Sequence, residues 1–161
     1  MTYKASLDKM AIAITIFVTV LFAVIILGQN YLLKFRGSTF STIAIVVCII
    51  SYAVSYSFRP VNYTINFREL IIHRPVLDVK INRTEIKSAE VLNANKTRGF
   101  IRTFGVGGLF GYFGKYRNSD LGNMTWYATQ RKNYILIEKV DGKRIILTPD
   151  DPQRMITELN S

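Results

Sequence analysis

Met10-Ala11-Ile12-Ala13-Ile14-Thr15-Ile16-Phe17-Val18-Thr19-Val20-Leu21-Phe22-Ala23-Val24-Ile25-Ile26-Leu27 contains no charged residue, and its only polar members are Thr15 and Thr19. The uncharged run continues to Leu33, and a second one, Phe40–Phe58, follows the connection Leu33-Lys34-Phe35-Arg36-Gly37-Ser38-Thr39. A helix rises about 1.5 Å per residue, so roughly 20 residues cross a hydrocarbon core about 30 Å thick. Residues 10–33 and 40–58 are therefore expected to form two antiparallel membrane spans joined by a tight turn. Both are apolar on every face, and the remaining residues make a domain too small to bury such a pair. A cleaved signal peptide is the competing reading of the first run. Its length and the absence of a small-x-small site after Leu27 argue for retention.

Flanking charge sets the expected orientation. Lys4 and Lys9 precede the first span and Arg59, Arg68 and Arg74 follow the second, whereas only Lys34 and Arg36 lie between them. Both termini are thus placed in the cytoplasm, at the inner (plasma) membrane. Sequons at Asn62, Asn82, Asn95 and Asn123 then have no role. Small residues recur along one face of each span, Ala11, Thr15, Thr19 and Ala23 in the first and Ala44, Cys48, Ser51 and Ser55 in the second. Helix packing explains these stripes better than a polar conduit, because no ionisable side chain stands mid-span.

Residues 59–161 carry seventeen basic and ten acidic side chains, a net +7 within a whole-chain charge of +10. Between Asn93 and Lys132 the balance is seven to one, so most of the excess sits in one stretch. The single cysteine, Cys48, lies in the second span, which excludes an intrachain disulfide and cysteine-rich metal sites.

Val61, Tyr63, Ile65 and Phe67 alternate with polar residues as in a half-buried strand, and Arg68-Glu69 turns the chain into Leu70–His73. Further strands are read at Val79–Ile81, Ile86–Leu92, Thr125–Thr129 and Tyr134–Ile137. Asp141-Gly142 is a hairpin turn into Arg144–Leu147. A terminal helix follows, with Asp150 as its cap, Pro152 in its first turn and Ile156 and Leu159 on its apolar edge. The expected fold is a membrane α-hairpin followed by a mainly antiparallel β barrel or sandwich with a C-terminal α-helix.

This order of elements resembles a pleckstrin-homology (PH)-like domain. The run Arg102–Gly114, with Trp126-Tyr127-Ala128-Thr129 and Pro149-Asp150-Asp151-Pro152, is similar to a bacterial family of such domains over about residues 60–159. The resemblance implies the PH-like fold and a membrane setting, since members commonly follow a short pair of membrane helices. It does not carry phosphoinositide recognition, because the first hairpin, Tyr63–Arg74, holds only Arg68 and Arg74 as cations, with Glu69 beside the turn.

The stretch 93–123 supplies the candidate site. Lys96, Arg98, Arg102, Lys115 and Arg117 bracket Gly105, Gly107, Gly108, Gly111 and Gly114, with Phe100, Phe104, Phe110, Tyr112, Phe113 and Tyr116 between them. Glycines open backbone N–H groups to an anion, cations pair with phosphate, and aromatic rings favour the headgroup layer. Read as a loop, this segment is expected to touch anionic phospholipid, to hold a specific anionic ligand, or to fill the core with Phe104, Phe110 and Phe113. A membrane-anchored binding or assembly module follows; the alternative is a structural subunit that forms a homo-oligomer, or joins a membrane protein partner, through its spans and sheet edges. Nucleic acid is not an expected partner. His73 is the only histidine, and no HExxH, P-loop, EF-hand or nucleophile elbow occurs. No enzyme activity, metal or cofactor is expected.

Overall fold

The computed structural model of the chain describes residues 1–31, 39–93, 97 and 99–160. The expected interhelical turn, Lys96 and Arg98 lie outside the described residues. Strand β1 (Thr2–Lys4) leads into helix α1 (Lys9–Tyr31), followed by α2 (Thr39–Ser57), β2 (Asn62–Ile65), β3 (Glu69–His73) and β4 (Val79–Asn82). A short 3-10 turn at Arg83–Glu85 precedes β5 (Ile86–Val91), β6 (Ile101–Gly108), β7 (Gly111–Asn118), β8 (Gly122–Ala128), β9 (Ile135–Lys139), β10 (Arg144–Leu147) and α3 (Pro152–Asn160).

The strands form two sheets, ordered β1-β2-β3-β4 and β5-β9-β10-β8-β7-β6. All pairings are antiparallel except β8 with β10. Tyr63, Leu70, Ile72 and Ile81 of the smaller sheet face Ile135, Ile137, Ile145 and Leu147 of the larger one. Met155 and Leu159 of α3 close the same core. Tyr63 ties the sheets together, its hydroxyl donating to Tyr127 O (2.6 Å) and accepting from Thr148 N (3.3 Å). The unbroken apolar runs of β9 and β10 reflect burial on both faces, since Leu136 and Ile146 point into a second cluster on the far side of the sheet.

The sheet of β1–β4 draws on both sides of the helical pair. β1 pairs with β2 in the register Tyr3↔Tyr63, so α1 and α2 are inserted between two neighbouring antiparallel strands. Residues 2–4 thus extend the β domain beyond the range 59–161 expected for it. The short links 5–8 and 58–61 fasten the helices to the sheet. Ser6 donates to the Asp150 carboxylate (2.6 Å), Asp8 N to Thr129 O (3.2 Å) and Val61 N to His73 O (2.9 Å).

Three local expectations are revised. Asp151, not Asp150, caps α3: its carboxylate accepts from Arg154 N (3.1 Å), while Asp150 is engaged by Ser6. Phe67 is fully exposed and Val61 partly so, because β2 spans only Asn62–Ile65 and the alternation runs past both ends of it. The stretch read as a glycine-aromatic loop is a long β-hairpin, β6 and β7.

The hairpin exists because glycines stand where side chains would collide. Gly105 and Gly114 are direct partners across the strands. A Cβ on either would stand 2.4 Å from a carbonyl oxygen of the other strand, and both have positive φ (+107° and +125°). A sequence reading assigns such glycines to turns, since positive φ is the commonest reason for glycine.

Candidate functional site

The end of the β6–β7 hairpin is held by both helices. On α1, Thr15 Oγ1 accepts from Phe110 N (2.9 Å) and donates to Ala11 O (2.7 Å), so the hydroxyl is used in both directions. Gly108 lies against Ile14, where a Cβ would come within 2.5 Å of its Cδ1. On α2, Tyr52 and Tyr56 meet the Phe110 ring edge-on at 5.1 and 5.4 Å, and the Arg59 guanidinium lies 4.5 Å over Tyr56. Thr19 Oγ1 and Tyr52 Oη, 2.7 Å apart, join the two helices. Three members of the first small-residue stripe are therefore contact residues: Ala11 is fully buried, Thr15 holds the hairpin and Thr19 meets α2. On α2, Tyr52 makes the contact with α1, while Cys48 and Ser55 of the second stripe are half-buried and Ser51 is exposed.

Strand register sends the expected site residues to opposite faces. Arg102 pairs with Tyr116 and Gly107 with Tyr112, on the face carrying Trp126. Phe104 pairs with Lys115, Val106 with Phe113 and Ile101 with Arg117, on the other face. Gly108 and Gly111 stand at the tip, and Gly105 and Gly114 serve the close strand approach. The cations expected to act together are thus divided by the thickness of the sheet. Nor do the three phenylalanines share a core: Phe110 and Phe113 are buried, whereas Phe104 is 77 % exposed.

Each face carries a concavity. Between α2 and the sheet runs an apolar groove of about 560 Å³, walled by Val54, Phe58, Phe104, Val106, Phe113 and Tyr127. Arg74 and Lys115 also line it. The Arg74 guanidinium lies 5.2 Å over Phe58 and 5.8 Å over Tyr127, and Lys115 Nζ donates to Thr125 Oγ1 (2.8 Å).

On the opposite face, rings from four segments enclose a cleft of about 460 Å³. Tyr116 stacks on Trp126 at 4.2 Å, and Phe100 meets the indole edge-on at 4.9 Å. Tyr134 completes the wall, while Arg102 and Arg131 also line the cleft. Burial pushes the phenols of Tyr112 and Tyr134 up to about 12. Nearby Asp8 adds to the rise at Tyr112. Burial also raises Tyr116, against the opposing pull of Arg102 and Arg131. All three therefore remain neutral hydrogen-bonding groups near neutral pH. Asp8 sits beside the cleft as the cap of α1, accepting from Ala11 N (2.7 Å), Arg131 N (3.0 Å) and the Tyr112 hydroxyl (3.1 Å).

Residues 61–161 match the bacterial PH domain. The chain belongs to that family. No curated protein and no solved structure matches it. In this bacterial PH domain the matched segment begins just before β2, so β1 and both helices lie outside it.

Arg74, Arg131, Trp126 and Tyr134 are the site residues that sequence reading missed. Tyr134 reads from sequence only as a strand residue, Trp126 as a strand residue within the family-like motif, and Arg131 only as part of a regional charge excess. His73 is occupied structurally, its ring nitrogens meeting Asp78 Oδ2 (2.9 Å) and Thr64 Oγ1 (3.0 Å). Among the described residues no cluster of His, Cys, Asp or Glu is arranged to hold a metal.

Proposed function

We propose that this bacterial PH domain is a membrane-anchored binding or assembly module, with α1 and α2 spanning the inner membrane as a hairpin and the β domain in the cytoplasm. The observation that carries this is the hairpin tip seated between two helices that are otherwise apolar and exposed. α1 contains one stretch, Lys9–Gly28, long and apolar enough to cross a membrane, and α2 adds the shorter apolar stretch Thr42–Ser57. Large side chains such as Ile16, Phe17, Val24, Val47 and Ile50 are exposed around both helices. Lipid is the solvent that satisfies such surfaces.

Thr15 lies six residues into α1 from Lys9, or about 9 Å along its axis. With Lys9 at the membrane surface, Phe110 lies near the headgroup–acyl boundary in this reading, and Tyr56 and Arg59, which pack with it, serve as interfacial anchors. The groove beside α2 opens at that level. In this reading an anionic phospholipid lays its acyl chain against Phe104, Val106 and Phe113, and its phosphate meets Arg74 and Lys115. Each cation near an anionic leaflet contributes about 1 kcal/mol, far less than the helices do, so the charge orients the domain rather than recruiting it. The domain acts by binding rather than by catalysis.

The test uses the full chain, because β1 belongs to the sheet. It stays with membranes through an alkaline carbonate wash and, once purified, retains added phosphatidylglycerol over phosphatidylcholine. That preference falls in Arg74→Gln and Lys115→Gln. Release by carbonate ends the membrane reading; retention of the two lipids in equal amounts ends the groove assignment.

A second reading rests on β6, an edge strand whose Ile101 and Phe104 are exposed. Such an edge invites pairing with another chain. A dimer in detergent that Thr103→Pro dissociates supports an assembly role; a monomer at all concentrations excludes it.

A further inference from the structure

We infer that the aromatic cleft on the outer face of the six-stranded sheet is a binding site for a small organic oxyanion, a carboxylate or phosphate ester carried on a planar or apolar group. The indole of Trp126 is only 3 % exposed, yet its Nε1–H is buried without an acceptor. That N–H has no open surface, so the indole forms a wall of the cleft and does not itself donate to a ligand. Its rings are fixed by mutual packing rather than by a ligand, with Tyr116 stacked nearly parallel (12°) and Tyr134 tilted at 5.4 Å. The site is therefore preformed.

Recognition falls to charge. Arg102 and Arg131 line the same cleft, and neither makes an ion pair among the described residues. Arg131 rests 4.8 Å over the Tyr112 ring, which aims its stem without using its hydrogen-bonding capacity. Arg102 lies across Gly107, where a Cβ would stand 2.6 Å from Nη1, so the absence of a side chain there makes room for the guanidinium. Guanidinium donors match the fork of a carboxylate or phosphate, and the half-buried Phe100 ring offers an apolar surface beside them. Asp8, whose charge acts on Tyr112 and Tyr134, is already satisfied by two backbone N–H groups and the Tyr112 hydroxyl. This site lies on the opposite face of the sheet from the groove beside α2, and its occupancy does not depend on the lipid reading.

Trp126 is the only tryptophan, so its fluorescence reports directly on the cleft. The full chain, held in neutral detergent, is titrated with phenyl phosphate and with benzyl alcohol as its uncharged counterpart. In a second arm the chain is placed in nanodiscs of phosphatidylcholine with and without phosphatidylglycerol. A saturable change with phenyl phosphate assigns a soluble ligand; a change only with phosphatidylglycerol assigns a lipid headgroup. Either response weakens roughly ten-fold or more in Arg102→Gln and in Arg131→Gln, as loss of a charge-assisted hydrogen bond requires. Both side chains are exposed, and unchanged circular dichroism checks each fold. The inference is overturned if neither arm changes the fluorescence, if benzyl alcohol matches phenyl phosphate, or if both variants titrate like the native chain.

Discussion

Replacing Thr15 by Val tests whether the β6–β7 hairpin is fastened to α1. Valine keeps the shape of threonine but removes the acceptor 2.9 Å from Phe110 N. Phe110 is 7 % exposed, so its amide has no easy access to water in exchange. Leaving a buried donor unpaired costs about 1–3 kcal/mol, and hydrogen bonds in membrane settings measure about 0.6–1.7. The ring contacts of Phe110 with Tyr52 and Tyr56 survive the change and keep the tip seated. A loss of about 1–2 kcal/mol is therefore expected locally, raising the open population of the tip roughly 5- to 30-fold. Hydrogen exchange of the peptide covering residues 109–113, in nanodiscs, reads this directly. Thr15→Ser restores protection because it retains the hydroxyl. Unchanged exchange in Thr15→Val, or equal acceleration in Thr15→Ser, refutes the fastening.

Tyr63→Phe removes the hydroxyl that serves both Tyr127 O and Thr148 N, and two buried backbone partners at about 1–2 kcal/mol each predict a loss of about 2–4 kcal/mol. Urea unfolding followed by Trp126 fluorescence measures it, and a change below about 0.5 kcal/mol rejects the bridge between the sheets. Gly114→Ala forces a side chain toward Phe104 O at positive φ; the expected cost is at least about 2 kcal/mol, with faster exchange across residues 101–108. Native protection in that variant contradicts the close approach. In an alkaline titration followed by ultraviolet difference absorbance, Tyr112 and Tyr134 ionise near 12 rather than with exposed tyrosines. Their folded values lie above the unfolded value of 10.0, so this stabilisation is full below pH 10 and disappears as the pH rises toward 12. A single transition near pH 10 with no loss of stability above it counts against their burial.

The helices, most strands and the terminal helix were legible because each depends on periodicity within a short window. Val79–Ile81 and Ile86–Leu92 fall on β4 and β5, and the Asp141-Gly142 turn sits between β9 and β10. The β6–β7 hairpin was not legible, because its apolar alternation is interrupted by glycines whose purpose lies on the neighbouring strand. Gly105 looks like a turn residue until Gly114 is placed opposite it. The site suffered the same way. Arg102 and Lys115 read as one basic cluster, yet a register of two residues per repeat sends them to opposite faces.

Composition and spacing by themselves determined that this chain carries two long uncharged runs, a basic β domain and a terminal helix, since hydropathy and turn chemistry are local properties. Tertiary structure alone decided that Thr2–Lys4 joins the sheet, that the hairpin tip sits between α1 and α2, and that Trp126 shares a cleft with Arg102 and Arg131. These facts depend on pairing residues tens of positions apart, and no local pattern encodes which strand will lie beside which.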